Sequence, residues 1–543
     1  MINRRKTIEL AGLGLPAVLA GCARHQGLFS ARQTGSSTPK NGLDLWGRGF
    51  ESQRIADRGD GTFLNPIFAG DHPDPSIIKD GDVYYITFSS FDAYPGLLIW
   101  KSFDLVNWSP LSPALWTPIG SVWAPDLIKH DGRYFIYIPA RTKNYKSIYV
   151  IHSESIEGPW SEPVDLKLHD HIDPGHMVGE DGKRYLFLSN GDMVVLTDDG
   201  LATDGPVHHV YDPWRYPEDW DVECFCPEGP KMLRRGEWFY MLTAVGGTAG
   251  PPTGHMVIAA RSKSVFGPWE HAPNNPQVRT SSREEKWWSR GHATLIEGPS
   301  RDDWWLVYHG YENGYWTLGR QCLLDPARWR DDGWFEAAGG DLSKPIAIPA
   351  GGRKQPHGVA LSDDFSESEL QSHWAFYRPG EDESQRVKTD NNMLQLAAKG
   401  TSPAGASPLC FVNGDLSYSV EIEIERDAGA MSGLLLFYNE SLYCGLGFDD
   451  DGLVMHRYGT ERRIANVIGK TTRRLFIKLE NDRHIVTMFT SADGADWRRF
   501  DVQIETSGYH HNVAYDFLSL RPGIYAAGEG AARFRNMKYR ALR

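Results

Sequence analysis

The feature that most restricts the fold is a hairpin-like stretch that occurs five times. "KDGDVYYITFSS" begins at Lys79, "HDGRYFIYIPA" at His130, "EDGKRYLFLSN" at Glu180, "RRGEWFYMLTA" at Arg234 and "SRDDWWLVYHG" at Ser300. Each sets a polar turn ahead of aromatic and β-branched residues, the pattern of a tight β-hairpin. The copies stand roughly 50 to 65 residues apart, about the length of one four-stranded propeller blade. A second element, "SFDLVNW" at Ser102, "SESIEGPW" at Ser153 and "SKSVFGPW" at Ser262, closes some of them. With almost no sustained helical period, the chain reads as all-β, with a five-bladed β-propeller over residues 61–350.

The segments ahead of the hairpins carry the chemistry. In order they are "HPDPSIIK", "WAPDLIKH", "HIDPGHMV", "CPEGPKML" and "RGHATLIE", and they offer Asp74, Asp126, Asp173, Glu228 and His292. First strands of propeller blades line the central channel, so side chains at a recurring position converge on the axis. Taken alone, "AGDHPDPSIIKDGDVYY" leaves Asp71 and Asp74 as turn residues among prolines. The recurrence assigns Asp74 to the channel and leaves Asp71 in the turn. Several carboxyl groups in one pocket suit glycosidic bond cleavage, which needs one protonated acid and one ionised carboxylate. A third carboxylate nearby raises the acid's pKa, because like charges oppose ionisation.

Composition narrows the partner. A formal net charge of −13 argues against a phosphate-binding surface and hence against nucleic acid. The 19 Trp, 23 Tyr and 23 Phe suit stacking on sugar faces, or the filling of β-cores. Cys22 aside, the cysteines are Cys224, Cys226, Cys322, Cys410 and Cys444, an odd number without zinc-like spacing. Cys224 and Cys226 would point the same way from a strand and sit too close for a comfortable bridge, so no disulfide framework is expected. The glycine-rich "GGTAGPPTGHM" of residues 246–256 lacks a phosphate-loop ending and is expected to shape a pocket rim.

The termini read differently. Residues 1–22 have paired Arg4 and Arg5, a short apolar stretch and "LAGC" ending at Cys22, the form of a twin-arginine-like lipoprotein signal. The expectation is an exported bacterial lipoprotein, periplasmic or at the cell surface, that touches the membrane only through lipid on Cys22. Residues 23–60 are expected to be a linker, 351–360 a second joint, and 361–543 a β-sandwich of alternating strands.

From Asn65 to about Ala337 the chain resembles glycoside hydrolase family 43, through "NPIFAGDHPDPSII", "SVWAPDLI", "HIDPGHMVGEDGKRYL", "CPEGPKM", "GHATLIEG" and "LGRQCLLDPARWRDDGWF". The C-terminal part resembles the concanavalin-like sandwich of its β-xylosidase-type members. The resemblance implies an inverting exo-glycosidase that removes terminal β-D-xylosyl or α-L-arabinofuranosyl units from plant-type oligo- or polysaccharides. It implies Asp74 as general base, Glu228 as general acid and Asp173 as the carboxylate that tunes and orients the acid. Trp123, Phe91, His292 and Arg320 would bind the sugar; Arg320 could instead be a salt bridge closing the last blade. No cofactor is implied, although some members hold a calcium ion or a water at the channel centre, here at His292. Glu223 is a rival to Glu228, in what reads as an alternating strand. The sandwich would wall the active-site mouth, bind sugar, or only stabilise its neighbour. Alternatives are a β-galactofuranosidase or other exo-glycosidase of the family, a retaining enzyme of the invertase and levanase type, and a non-catalytic glycan-binding lipoprotein.

Overall fold

Each recurrent hairpin joins the first two strands of a blade. The first blade is an antiparallel sheet of Ser76–Asp80, Val83–Thr87, Gly96–Ser102 and Trp108–Leu115. Four further sheets begin with Asp126–His130, Gly175–Val178, Glu228–Arg235 and Trp287–Glu297, completing a five-bladed propeller. In the second blade the two loop residues, Asp131 and Gly132, lie at φ +47° and +78° between the paired His130 and Arg133. Positive φ at both central positions is the turn that matches strand twist, which explains the Asp-Gly signature. The computed structural model describes residues 45–542 apart from residue 466, so the signal-like segment, Cys22 and residues 23–44 lie outside the described residues.

The aromatic and β-branched strands pack blade against blade. Ile99, Leu127, Ile136 and Ile151 fill the space between the first and second blades, and Leu242, Leu306, Tyr308 and Leu323 that between the fourth and fifth. The ring closes where the N-terminal strand Thr62–Phe63 pairs with Ile346–Ala347. Beside it, the Asn65 side chain donates to the Leu324 carbonyl and accepts from the Leu324 N–H, both at 2.9 Å, so one side chain replaces a ladder pair.

Residues 45–60 depart from the expected linker. Arg54 is buried, 2.8 Å from both Glu312 and Gln321 of the fifth blade, and its backbone N–H donates to Asp415 of the sandwich at 2.9 Å. A polar composition reads as a tether, but here the polar groups find buried partners. The 351–360 joint is likewise laid on the first blade, with His357 accepting from the Trp108 N–H at 3.2 Å.

The C-terminal part is a sandwich of an eight-stranded and a seven-stranded sheet around one apolar core. The edge strand of the larger sheet belongs to the propeller: Ala93–Tyr94, from a first-blade loop, pairs with Ala375–Tyr377. Edge backbone groups seek partners, and this pairing fastens the sandwich to the rim of the propeller. Arg378 adds a 2.8 Å ion pair to Asp92 at the same junction.

The cysteine expectation is corrected. Cys224 and Cys226 form a disulfide, with Cα atoms 5.4 Å apart. The stretch is not a strand, and that distance lies within the usual bridging range. Cys322, Cys410 and Cys444 are free and buried.

Candidate active site

Three residues at the channel end of the first strands share a left-handed backbone: Asp74 at φ +54°, Asp173 at +56° and His292 at +60°. Such values are uncommon without glycine, and Asp and His are among the residues that adopt them. All three are buried. His292 stands between the acids, Nδ1 3.3 Å from Asp74 Oδ1 and Nε2 3.4 Å from Asp173 Oδ2. Glu228, half-buried, opens the first strand of the fourth blade, and its carboxylate comes within 4.8 Å of His255 and His292 ring nitrogens. Gly229 follows it because a Cβ there would lie 2.4 Å from His292 Nε2.

Asp126 does not join this group. Strand register aligns it with Ser76 and Lys231: Ser76 faces Thr87, Asp126 faces Tyr137 and Lys231 faces Leu242, each the fifth residue of a second strand. Asp126 Oδ1 lies 2.7 Å from Lys231 Nζ, and Oδ2 accepts the His176 N–H at 2.7 Å. The recurrence therefore covers two positions, two residues apart at Asp74 and Ser76 and three at Glu228 and Lys231, where the strand bulges. Counting from loosely aligned turns hides that offset.

Asp74 is the most constrained of the acids. Oδ1 accepts from Arg320 Nη1 at 2.7 Å, Oδ2 accepts from Ser89 Oγ at 2.5 Å, and the backbone N–H donates to His309 Nδ1 at 3.1 Å. That last bond leaves the proton of neutral His309 on Nε2, facing Thr248 Oγ1 at 3.3 Å. Burial alone would raise the Asp74 pKa, but the Arg320 guanidinium counters it, and the carboxyl is held well below its usual range. Glu228 moves the other way: burial first, then the Asp74 charge, push it up to about 8. Asp173 is also raised, by burial and by the charges of Glu228 and Asp74. Asp74 is thus held low while Glu228 is raised, the division that acid and base catalysis requires.

The wall above these groups is aromatic and comes from both parts of the chain. Phe517, from the sandwich, stacks on Phe91 with centroids 5.9 Å apart and meets Trp123 edge-on at 6.1 Å. The Arg320 guanidinium lies 5.1 Å from the Phe517 ring and 5.5 Å from that of Phe91. Arg320 binds Asp74 across the closing seam between the fifth and first blades, so the salt bridge and the site are one feature. The 246–256 loop lies at this rim, with the Gly250 N–H donating to Asn512 of the sandwich at 3.1 Å.

Two expectations about neighbouring acids change. Asp71 is buried, its Oδ2 2.8 Å from Arg521 of the sandwich and its Oδ1 3.3 Å from the Arg320 N–H. It is a joint between the domains and the arginine of the site, more than a turn residue. Glu223 is exposed in a segment that is not a strand, and its Oε2 accepts the Ala249 N–H at 2.8 Å. It braces the glycine-rich loop.

Sequence reading also missed His255 and His309, whose rings stack at 5.3 Å beneath the acids. A lone His within the apolar strand "WWLVYHGYE" was the available sign of His309. Phe517 and Arg521 had none, because contacts over such sequence distances leave no local pattern. Two groupings could hold an ion, Asp74 with His292 and His309, and Glu228 with His255 and His292. Both ring nitrogens of His255 and of His292 are buried without hydrogen-bond partners. Each set is two imidazoles and one carboxylate, and Arg320 already occupies Asp74. Calcium takes six to eight oxygens, so these residues do not fit it as direct ligands.

Residues 63–335 match the family described as glycosyl hydrolases family 43, and residues 362–540 the β-xylosidase C-terminal concanavalin A-like domain. The chain belongs to glycosyl hydrolase family 43. It is 33% identical over 324 residues to a xylan 1,3-β-xylosidase of a Vibrio species, covering 51% of this chain and 58% of that one. A non-reducing end α-L-arabinofuranosidase of Bacteroides ovatus is 30% identical over 338 residues, 58% of this chain and 61% of that one. The chain thus spans about three-fifths of the length of these two relatives. The β-xylosidase of Bacillus subtilis is 26% identical over 505 residues, 81% of this chain and 91% of that one. Among solved structures, the family 43 protein BlXynB of Bacillus licheniformis superposes with a TM-score of 0.78 at 25% identity, over 89% of this chain and all of that one.

Proposed function

We propose that this protein is an inverting exo-glycosidase that removes terminal β-D-xylosyl or α-L-arabinofuranosyl units from oligosaccharides. The observation that carries the reading is the opposed tuning of two carboxyls around one histidine, Asp74 held low and Glu228 raised to about 8. In this reading Glu228 protonates the leaving oxygen while Asp74 takes a proton from a water that attacks the opposite face of the sugar. Asp173 orients the acid, and Arg320, Phe91, Trp123 and Phe517 hold the terminal ring, with His292 beneath it. The chemistry needs no cofactor. The relatives' names support a pentosyl substrate.

The aromatic wall that Phe517 of the sandwich builds with Phe91 and Trp123 supports exo action. We also propose export with a lipid anchor at Cys22; detergent partitioning of the native chain against a Cys22→Ala variant tests that part. For the activity, the measurement is release of nitrophenol from aryl pentosides and hexosides. The expected result is turnover of a xyloside or arabinofuranoside that Asp74→Ala abolishes, with Glu228→Ala abolishing release of the same sugar from an unactivated oligosaccharide. Turnover that survives both substitutions would sink the assignment, and glycan binding without turnover would favour a binding protein.

A further inference from the structure

The cleft beside Glu228 carries charge that a neutral sugar does not use. A cavity of ≈ 540 Å³ extends from Glu228 and Trp123 along the second and third blades, and another of ≈ 680 Å³ runs from Trp123 to the sandwich. Arg141 and Lys143 line both, and both are exposed. Other cations of these walls are committed: Lys146 lies 3.4 Å from Asp170 and Arg378 2.8 Å from Asp92. Arg141 has the Trp123 ring 5.6 Å beneath it, and neither Arg141 nor Lys143 forms an ion pair among the described residues.

Two unpaired cations are not a by-product of a basic surface, because the chain's net charge is −13. Nor does Glu228 cancel them, being protonated below about pH 8. A guanidinium over an aromatic ring presents its donors as a planar fork, the geometry that binds a carboxylate in two-point fashion. The ammonium beside it adds a second, movable donor.

We propose that this cleft receives the leaving-group side of a glycan that carries a carboxylate, a uronic-acid-branched chain, through Arg141 and Lys143. The proposal rests on the exo-glycosidase reading only in taking the Glu228 side as the leaving-group side.

Calorimetric titration of the full-length Glu228→Gln variant tests it without turnover. The probes are a linear β-1,4-xylo-oligosaccharide and the same oligosaccharide bearing one glucuronic acid branch. The acidic probe is expected to bind about three- to tenfold tighter at low ionic strength, as an exposed charge-assisted pair allows. The advantage should shrink in high salt, vanish on adding Arg141→Gln and Lys143→Gln, and reverse on adding Lys143→Glu. Equal affinity for the two probes, or a preference that survives the double substitution, overturns the proposal. So does failure of both to bind while the native enzyme still hydrolyses aryl pentosides, a result that leaves the glycosidase reading standing.

Discussion

The propeller channel contains two polar layers, and they have opposite fates. In the deeper layer, Ser76, Asp126 and Lys231 neutralise one another: Asp126 and Lys231 lie 2.7 Å apart, and the Ser76 hydroxyl accepts the Leu127 N–H at 2.8 Å. In the layer facing the pocket, the carboxyls of Asp74, Asp173 and Glu228 crowd around His292, whose ring nitrogens lack hydrogen-bond partners. Polar residues of neighbouring blades therefore give a clamp in one layer and a cluster of carboxyls in the other. A buried cation with a matched carboxylate is costly to separate, whereas three carboxyls with one arginine shift pKa values apart.

Substitutions can break this contrast. The largest effect is expected for Asp74→Asn, with kcat falling by roughly 10²- to 10⁴-fold, the range for a lost general base, read in steady-state hydrolysis of an aryl xyloside. Glu228→Gln should cost about as much on a natural oligosaccharide and far less on a nitrophenyl leaving group, which needs little protonation. In the native enzyme the rate should fall as pH rises through about 8, where Glu228 ionises, and that limb should vanish in the variant. The stability sign follows from the same shift. Between the ordinary value near 4.5 and about 8, Glu228 is protonated when folded and ionised when unfolded. Native stability should therefore decline with rising pH across that window, and the Gln variant should lack the decline.

The deeper layer should respond in reverse. Asp126→Ala leaves Lys231 buried and unpaired, and should cost about 3 to 5 kcal/mol in denaturant unfolding while kcat changes only a few-fold at low temperature. A thousandfold loss of kcat with unchanged stability would erase the distinction between the layers. The smallest effect belongs to Arg521→Ala, which loosens Asp71 and through it Arg320. It should raise KM several-fold with kcat nearly kept.

Legibility in the sequence follows the range of the interactions. Blades were readable because each hairpin is a local event, fixed by turn residues and alternating strands. Asp74, Asp173 and Glu228 were readable because repetition converts local position into shared space. The two-residue offset of Asp126 was hidden, since register is set by pairing partners and not by distance from a turn. Phe517, Arg521 and the packing of residues 45–60 join distant segments and were hidden for the same reason. The Cys224–Cys226 bridge was missed because strand geometry was assumed where the chain bends.

The central claim is that Asp74 activates water while Glu228 protonates the leaving group, and the stereochemistry of the first-formed sugar tests it most directly. Proton NMR of an aryl β-xyloside digest, recorded before mutarotation, should show the α anomer first. Initial appearance of the β anomer would mean a covalent intermediate and would contradict the assignment of Asp74 as a base.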